Sequence, residues 1–352
     1  MIETSTFRFD GYHMPAEWEI HAATWIAWPH NRTDWPGKFV PIQWVYAEIT
    51  RCLADSELVR ILVKSEEHQS RAEKILAKIA CNRANVEFVP IPTNRSWTRD
   101  YGPIFLKKNE QKAIIHFKFN AWAKYPDWKL DNQVAPTVAA LDNLDLLEAK
   151  VNGMDFVLEG GAIDLNGEGT VITSEECLLD EQTQVRNPGF QREQYEQALR
   201  QFLGVRQVIW LEKGIGGDDT HGHVDDFCRF VNPHTVVLCR EPNPKDDNYH
   251  SLQENRERLE NLRLANGKRL EVIPMPLPAP VYFDNVRLPA SYANFYIANE
   301  AVLVPTFNDP NDRVALGILA ELFPNRTIVG IHAGDLIWGL GAIHCLTQQQ
   351  PA

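Results

Sequence analysis

The sequence predicts an α/β protein arranged as a ring of about five βα modules. Three observations carry that reading. Helical stretches alternate with short β-rich runs along the whole chain. One hairpin theme recurs five times. Composition is ordinary for a globular protein, with 44% hydrophobic and 23% charged residues, which excludes disorder and fibre. No linker or low-complexity stretch divides the chain, so one domain over residues 1–352 is expected.

The elements follow in order. Pro41 to Ser56 has Trp44, Ile49, Cys52 and Leu53 near helical spacing, and Glu57 to Lys64 is strand-like. Glu66 to Ala80 is helical and Val86 to Ile91 a strand. Further helices are expected at Gln133 to Lys150, Gln191 to Leu203, Ser251 to Ala265 and Asn311 to Leu322. Short β-rich runs follow, such as Val208 to Trp210 and Thr327 to Val329.

The repeated theme is a small or polar head, a strand, a tight turn and a second strand. It begins near SWTRDYGPIFL, LEGGAIDLNGEGTVIT, THGHVDDFCRFVNPHTVVL, SYANFYIANEAVLVP and GLGAIHCLT. The polar heads are Asp100, Glu159, His223, Asn294 and Cys345, roughly 50 to 70 residues apart. Asn166-Gly167 and Asn232-Pro233 suit hairpin turns. The alternative is an ordinary mixed sheet whose hairpins look alike.

Charge and cysteines narrow the function classes. Lys and Arg number 35 against 47 Asp and Glu, a net charge of −12 with no basic run. That argues against nucleic acid and anionic membrane and suits a cationic small molecule. No stretch approaches ~18 consecutive apolar residues, and no secretory leader is visible in MIETSTFRFDGYHMP. The six cysteines form no C-x-x-C pair, so a cytoplasmic protein with reduced thiols is expected. Several of the ten Trp (Trp28, Trp35, Trp97, Trp122) adjoin Pro or polar residues, where a pure core role is less natural. Surface Trp suggest a homodimer or larger assembly.

Four clusters hold candidate chemistry. Cys345 stands in Gly339-Leu340-Gly341-Ala342-Ile343-His344-Cys345, where small residues permit close approach. Gly216 to Asp226 packs His221, His223 and four Asp together. If Gly222 to Phe227 is a strand, His223 and Asp225 share a face. His221, His223 and Asp225 also have a metal-ligand spacing. Asp100, beside Trp97, could face a cation with the indole as a cation–π wall. Glu159 precedes two glycines at a strand entry.

Together these fit guanidinium chemistry. A guanidinium is cationic at neutral pH, and burying it takes paired carboxylates, here Asp100 and Asp225. Breaking its C–N bond needs a nucleophile, Cys345, and a proton carrier, His223, which Glu159 can orient. No metal or cofactor is required.

The chain resembles the agmatine deiminases and bacterial peptidylarginine deiminases of the guanidine-modifying pentein superfamily. The resemblance spans the chain through MPAEWEIHAATWIAWP, WTRDYGPIF, LEGGAID, DDTHGHVDDF, ASYANFYIAN, FNDPNDRVAL and IHCLTQQQP. It implies a five-bladed pseudosymmetric α/β propeller, with Cys345 as nucleophile and His223 as acid/base. It further implies Asp225 and Asp100 as guanidinium ligands, Glu159 as the partner of the catalytic His, and a substrate-site position at Asn294. The implied reaction is hydrolysis of agmatine to N-carbamoylputrescine and ammonia. Peptidyl-arginine or arginine is the alternative, with Arg99 and Arg186 available to pair a carboxylate. Trp97 and Trp122 are candidates for the substrate's far end.

Two departures concern the pocket. His221 stands where many relatives have Asp; it is either a positive charge near the mouth or simply a loop residue. Leu340 stands where a third glycine is common. A metal-dependent amidine hydrolase using His221, His223 and Asp225, or a silent binder of cations, are the rival readings.

Overall fold

In the computed structural model, residues 11–352 are described, and five sheets among them repeat one topology. In each, two antiparallel strands are followed by a helix and a third strand parallel to the second. Ile104–Lys108 pairs with Gln111–His116, and Asp145–Glu148 joins in parallel. The next three sheets are Asp164–Leu165, Thr170–Ser174 and Gln207–Leu211; Cys228–Asn232, Thr235–Arg240 and Glu271–Pro276; and Tyr296–Ile297, Ala301–Thr306 and Thr327–His332.

The remaining sheet shares this plan but is closed from afar. Gln348–Pro351 lies antiparallel to His21–Ala27, and Leu58–Leu62 and Val86–Val89 follow in parallel. The fifth theme, read in sequence as a complete hairpin, therefore has one strand of its own. Its partner lies more than 300 residues earlier.

Local chemistry explains the helices. In Arg192–Leu203, residues Tyr195, Ala198, Leu199, Phe202 and Leu203 are buried, the spacing of one apolar face. Gln191 and Gln194 cap each other's backbone, and Gly204 ends the helix at φ +70°. Each such buried Leu or Phe contributes roughly 1.5–3 kcal/mol. Asn311–Leu322 forms as expected.

Two expectations are corrected. Gln133 to Lys150 is not one helix: the helix stops at Leu141, and Asn143 at φ +51° turns the chain into strand Asp145–Glu148. Edge pairing to Gln111–His116 overrides a helical pattern there. Gly222 to Phe227 is not a strand. Both Gly222 and His221 have positive φ, and the Asp218 carboxylate accepts from the N–H groups of Gly222 and His223. The chain then makes a short 3-10 turn, Val224–Asp226, before its strand begins at Cys228.

The tryptophans divide. Trp28 and Trp35 are fully buried core residues, contrary to expectation, while Trp97 and Trp122 reach a cavity. Trp44 is the most exposed of the ten at 41%, so an argument from surface Trp to assembly has little to stand on. Among the described residues no helix is long and apolar enough to cross a membrane. The leader reading rests largely on residues 1–10, which lie outside the described residues.

Candidate active site

The five polar heads sit where each repeated unit bends into its first strand. Asp100 is on the helical turn Thr98–Tyr101, Glu159 precedes the 3-10 turn Gly160–Ala162, and His223 precedes Val224–Asp226, which carries Asp225. Asn294 precedes Tyr296–Ile297, and Cys345 is on the 3-10 turn His344–Leu346. A tight turn before a strand throws a side chain off the end of the sheet, and the same bend recurs in each unit.

These heads converge. His223 lies between two carboxylates, with Nδ1 3.7 Å from Asp100 Oδ1 and Nε2 3.6 Å from Glu159 Oε2. Among the described residues neither ring nitrogen has a partner at hydrogen-bond distance, although the ring is buried. Asp100 accepts from Trp122 Nε1 at 2.8 Å and from the Gly161 N–H at 3.0 Å. Gly161 is required at this contact: a Cβ there would stand 2.5 Å from His223 Nδ1. Arg186 Nε donates to Glu159 at 3.1 Å.

Cys345 is held from behind. Asn294 Nδ2 reaches Cys345 Sγ at 3.1 Å and donates to Asp226 at 2.9 Å. The Asn294 carbonyl accepts from the His344 N–H at 2.9 Å. The thiol lies 3.8 Å from Asp225 Oδ2. Asn294 thus stands behind the thiol and is not among the cavity's lining residues.

Electrostatics sort the groups. Burial, then the carboxylates of Asp225, Asp226 and Asp100, push the Cys345 thiol well above its ordinary range. Burial opposes charge on His223, yet Asp100, Cys177 and Glu159 around it raise it well above the ordinary histidine range. Asp100 is pushed up to about 6, by burial first and by Asp225 and Glu159, against the pull of His223. Glu159 is held down to about 2: Arg186 and His223 outweigh its burial. Asp225 is likewise lowered despite burial, chiefly by its hydrogen bond to His344.

Above this floor opens a cavity of about 430 Å³ that contains Cys345, Asp100, Trp97 and Trp122. Its lining also includes the buried Asp34, with Asp219 and Asp284 nearer solvent, the aromatics Tyr125, Phe283 and Trp338 and, among the described residues, one cation, Arg95. Arg95 is already paired with Asp34 and Asp127. A larger hollow of about 900 Å³ lies beside helix Asn248–Leu259 and holds none of the candidate residues.

Several readings change. His221 does not line the cavity: its Nε2 meets Asp180 at 2.8 Å, with Glu176 beyond, so it adds no free charge at the mouth. With His221 held there and His223 between Asp100 and Glu159, the triad of His221, His223 and Asp225 does not converge. Donor atoms do cluster as Glu159, Cys177 and His223, and as Asp225, Asp226 and Cys345. Arg99 and Arg186 are both buried and committed, Arg99 to Glu17 and Gln349 and Arg186 to Glu159. Neither is available to a substrate carboxylate.

Sequence reasoning passed over His344, Glu17 and Asp226. Their signals lay within quoted blocks, in MPAEWE, VDDF and IHC, next to residues that drew attention first.

Comparison with known proteins places this geometry. The family profile of Porphyromonas-type peptidyl-arginine deiminase matches residues 13–351. Agmatine deiminase from Pseudomonas fluorescens (strain Pf-5) is 37% identical, over 99% of this chain and 98% of that protein. The solved agmatine deiminase of Enterococcus faecalis superposes with a TM-score of 0.89 at 30% identity, covering 99% of each chain. An amidinotransferase from Microseira wollei, 12% identical with a TM-score of 0.50 over 96% of each chain, shares the α/β fold alone.

Proposed function

The chain belongs to the Porphyromonas-type peptidyl-arginine deiminase family, and on that premise we propose that it is an agmatine deiminase, hydrolysing agmatine to N-carbamoylputrescine and ammonia. The observation that carries the chemistry is the meeting of His223 with Asp100, and of Asp225 with Cys345, where Asp100 and Cys345 line one cavity.

Asp100 and Asp225 receive the guanidinium. Burial and, after it, the carboxylates hold the Cys345 thiol neutral; the guanidinium's positive charge offsets the carboxylates, so binding itself favours the thiolate. The thiolate sulfur bonds to the guanidinium carbon. His223, charged between Asp100 and Glu159, gives its proton to the departing nitrogen, which leaves as ammonia. A thiouronium remains on Cys345. His223, now neutral, takes a proton from water, whose oxygen bonds to the same carbon. As the C–S bond breaks, the remaining hydroxyl proton passes to sulfur, restoring the Cys345 thiol and releasing the ureido product, while the proton the thiol gave up on activation leaves to solvent, where ammonia takes it up as ammonium. Glu159 keeps His223 oriented and is itself fixed by Arg186. Asn294 holds Cys345 from behind.

The mouth supports a substrate with a cationic tail. Asp219 and Asp284 face the cavity, Asp219 shared with Lys124, while its arginine is already paired. Trp97 walls the site, packed against Trp35 with ring centroids 5.2 Å apart. Gly341 lets it close in, because a Cβ there would lie 2.7 Å from the indole. Free arginine would bring a carboxylate with no unpaired cation to meet it.

The five sheets are proposed to be blades of one propeller over residues 1–352, with the active site at its centre. We also propose a cytoplasmic location, which six free cysteines support. The test is ammonia release from agmatine, arginine and a blocked peptidyl-arginine, with Cys345→Ala as control. Agmatine turnover, lost by at least about 10³-fold in C345A, is the expected result. Full turnover in C345A would falsify the covalent mechanism.

A further inference from the structure

Beneath Cys345 runs a line of buried charge to which the reaction above assigns no part. His344 Nδ1 is 2.6 Å from Asp225 Oδ2, and its Nε2 is 2.7 Å from Glu17 Oε2. Both contacts are charge-assisted hydrogen bonds in length, and a carboxylate only accepts. Each nitrogen must therefore donate, so the ring is clamped between two acids.

Glu17 is anchored just as firmly. Its Oε1 accepts from Arg229 Nη2 at 2.9 Å and from the Ile297 N–H at 2.8 Å, while Arg99 Nη2 stands 3.3 Å from Oε2. Arg229 is fully buried and also donates to Asp164 at 3.1 Å. The imidazole thus has a fixed wall on one side.

On its other side is Asp225, whose two oxygens differ. Oδ2 is taken by His344, but Oδ1 is buried and has no hydrogen-bond partner among the described residues. Asp225 lies 3.8 Å from Cys345, which lines the cavity, and a buried carboxylate oxygen left open there costs free energy until something donates to it.

We infer that His344 and Glu17 are a positioning pair that fixes the Asp225 carboxylate with one oxygen turned out for the substrate's guanidinium. The inference rests on the function proposed above. It assigns neither residue a contact with substrate. His344 orients the ligand, and Glu17 orients His344.

The groups facing Asp225 are His344, His223, Arg229, Asp226, Asp100 and Cys345. Of these, His344 pulls its carboxyl down most strongly. Without that pull Asp225 takes up a proton at higher pH, so the acid limb of kcat/KM must move upward.

The test compares the intact protein with His344→Gln and Glu17→Gln. Expected in H344Q are a KM for agmatine raised about tenfold or more, a smaller loss in kcat, and an acid limb moved upward. E17Q, which keeps the side chain's size and its acceptor, gives the same pattern more weakly and carries the test if H344Q fails to fold. Unchanged KM and acid limb, with only a lower melting temperature, overturn the inference. A readout independent of turnover separates this failure from that of the proposed function. In ¹⁵N-histidine spectra of the wild type, one ring with protons on both nitrogens should vanish in H344Q. A singly protonated His344 overturns the inference even where agmatine is a substrate.

Discussion

The floor and the mouth of the cavity obey different physics. On the floor, Asp100, Glu159, His223, Asp225 and His344 are almost fully buried, and the turns that precede the strands of different sheets supply them. At the mouth, Asp219 and Asp284 come from loops and meet solvent; Asp219 is bound by Lys124 at 2.6 Å and by the Tyr125 hydroxyl at 2.7 Å. Charges on the floor act at low dielectric, where removing one leaves its partners unpaired at a cost of several kcal/mol. Charges at the mouth are screened and worth about 1 kcal/mol. The chemistry is therefore rigidly specified, while the choice of substrate tail rests on weak, adjustable contacts.

The sharpest way to break this contrast is Asp100→Asn. It should lower kcat/KM for agmatine by about 10²–10³-fold, since a desolvated guanidinium loses its partner. In the wild type, kcat/KM should fall as pH drops through about 6, where Asp100 takes up a proton and loses its charge attraction for the guanidinium. Steady-state rates from pH 5 to 9 decide this. A profile flat to pH 5 would mean that Asp100 is not a charged ligand.

Asp219→Asn sharpens the other side. KM for agmatine should rise by about tenfold or less, equal to about 1.4 kcal/mol, with kcat less affected and the change shrinking in high salt. A collapse of kcat to the level of D100N would erase the distinction between floor and mouth.

The smallest effect is expected at Leu340, which lines the mouth at φ +69°. A non-glycine residue pays roughly 1–2 kcal/mol there. Leu340→Gly should raise the stability of the protein by about 1 kcal/mol or less in a denaturant titration. A loss instead would show that the side chain's packing near Ile337 and Ala342 outweighs its backbone strain.

Much of the floor was legible because its residues are local to a repeated motif. Asp100, Glu159, His223, Asn294 and Cys345 each occupy the same place in the theme, and small residues beside them marked close approach. Helices such as Asn311–Leu322 were legible from periodicity. What escaped depends on distant partners. The strand Asp145–Glu148 is made by pairing, not by its own pattern. The turn at His223 is made by an Asp218 carboxylate capturing two N–H groups. His221 looked like a charge at the mouth until Asp180 claimed it. Glu17 gains its meaning from Arg99, Arg229 and His344, which no spacing rule connects to it.

The pairing of Gln348–Pro351 with His21–Ala27 sets a timetable for synthesis. A growing chain emerges from its N-terminal end and can complete four of the five sheets early, because their strands are neighbours in sequence. Through most of translation the edge of His21–Ala27 waits unpaired, open to a wrong partner. The nucleophile's turn, His344–Leu346, is drawn into place only as the strand just beyond it docks. A ribosome-bound chain that has not yet released those residues should contain Asp100 and Asp225 but lack both the Cys345 thiol and the His344 that fixes Asp225.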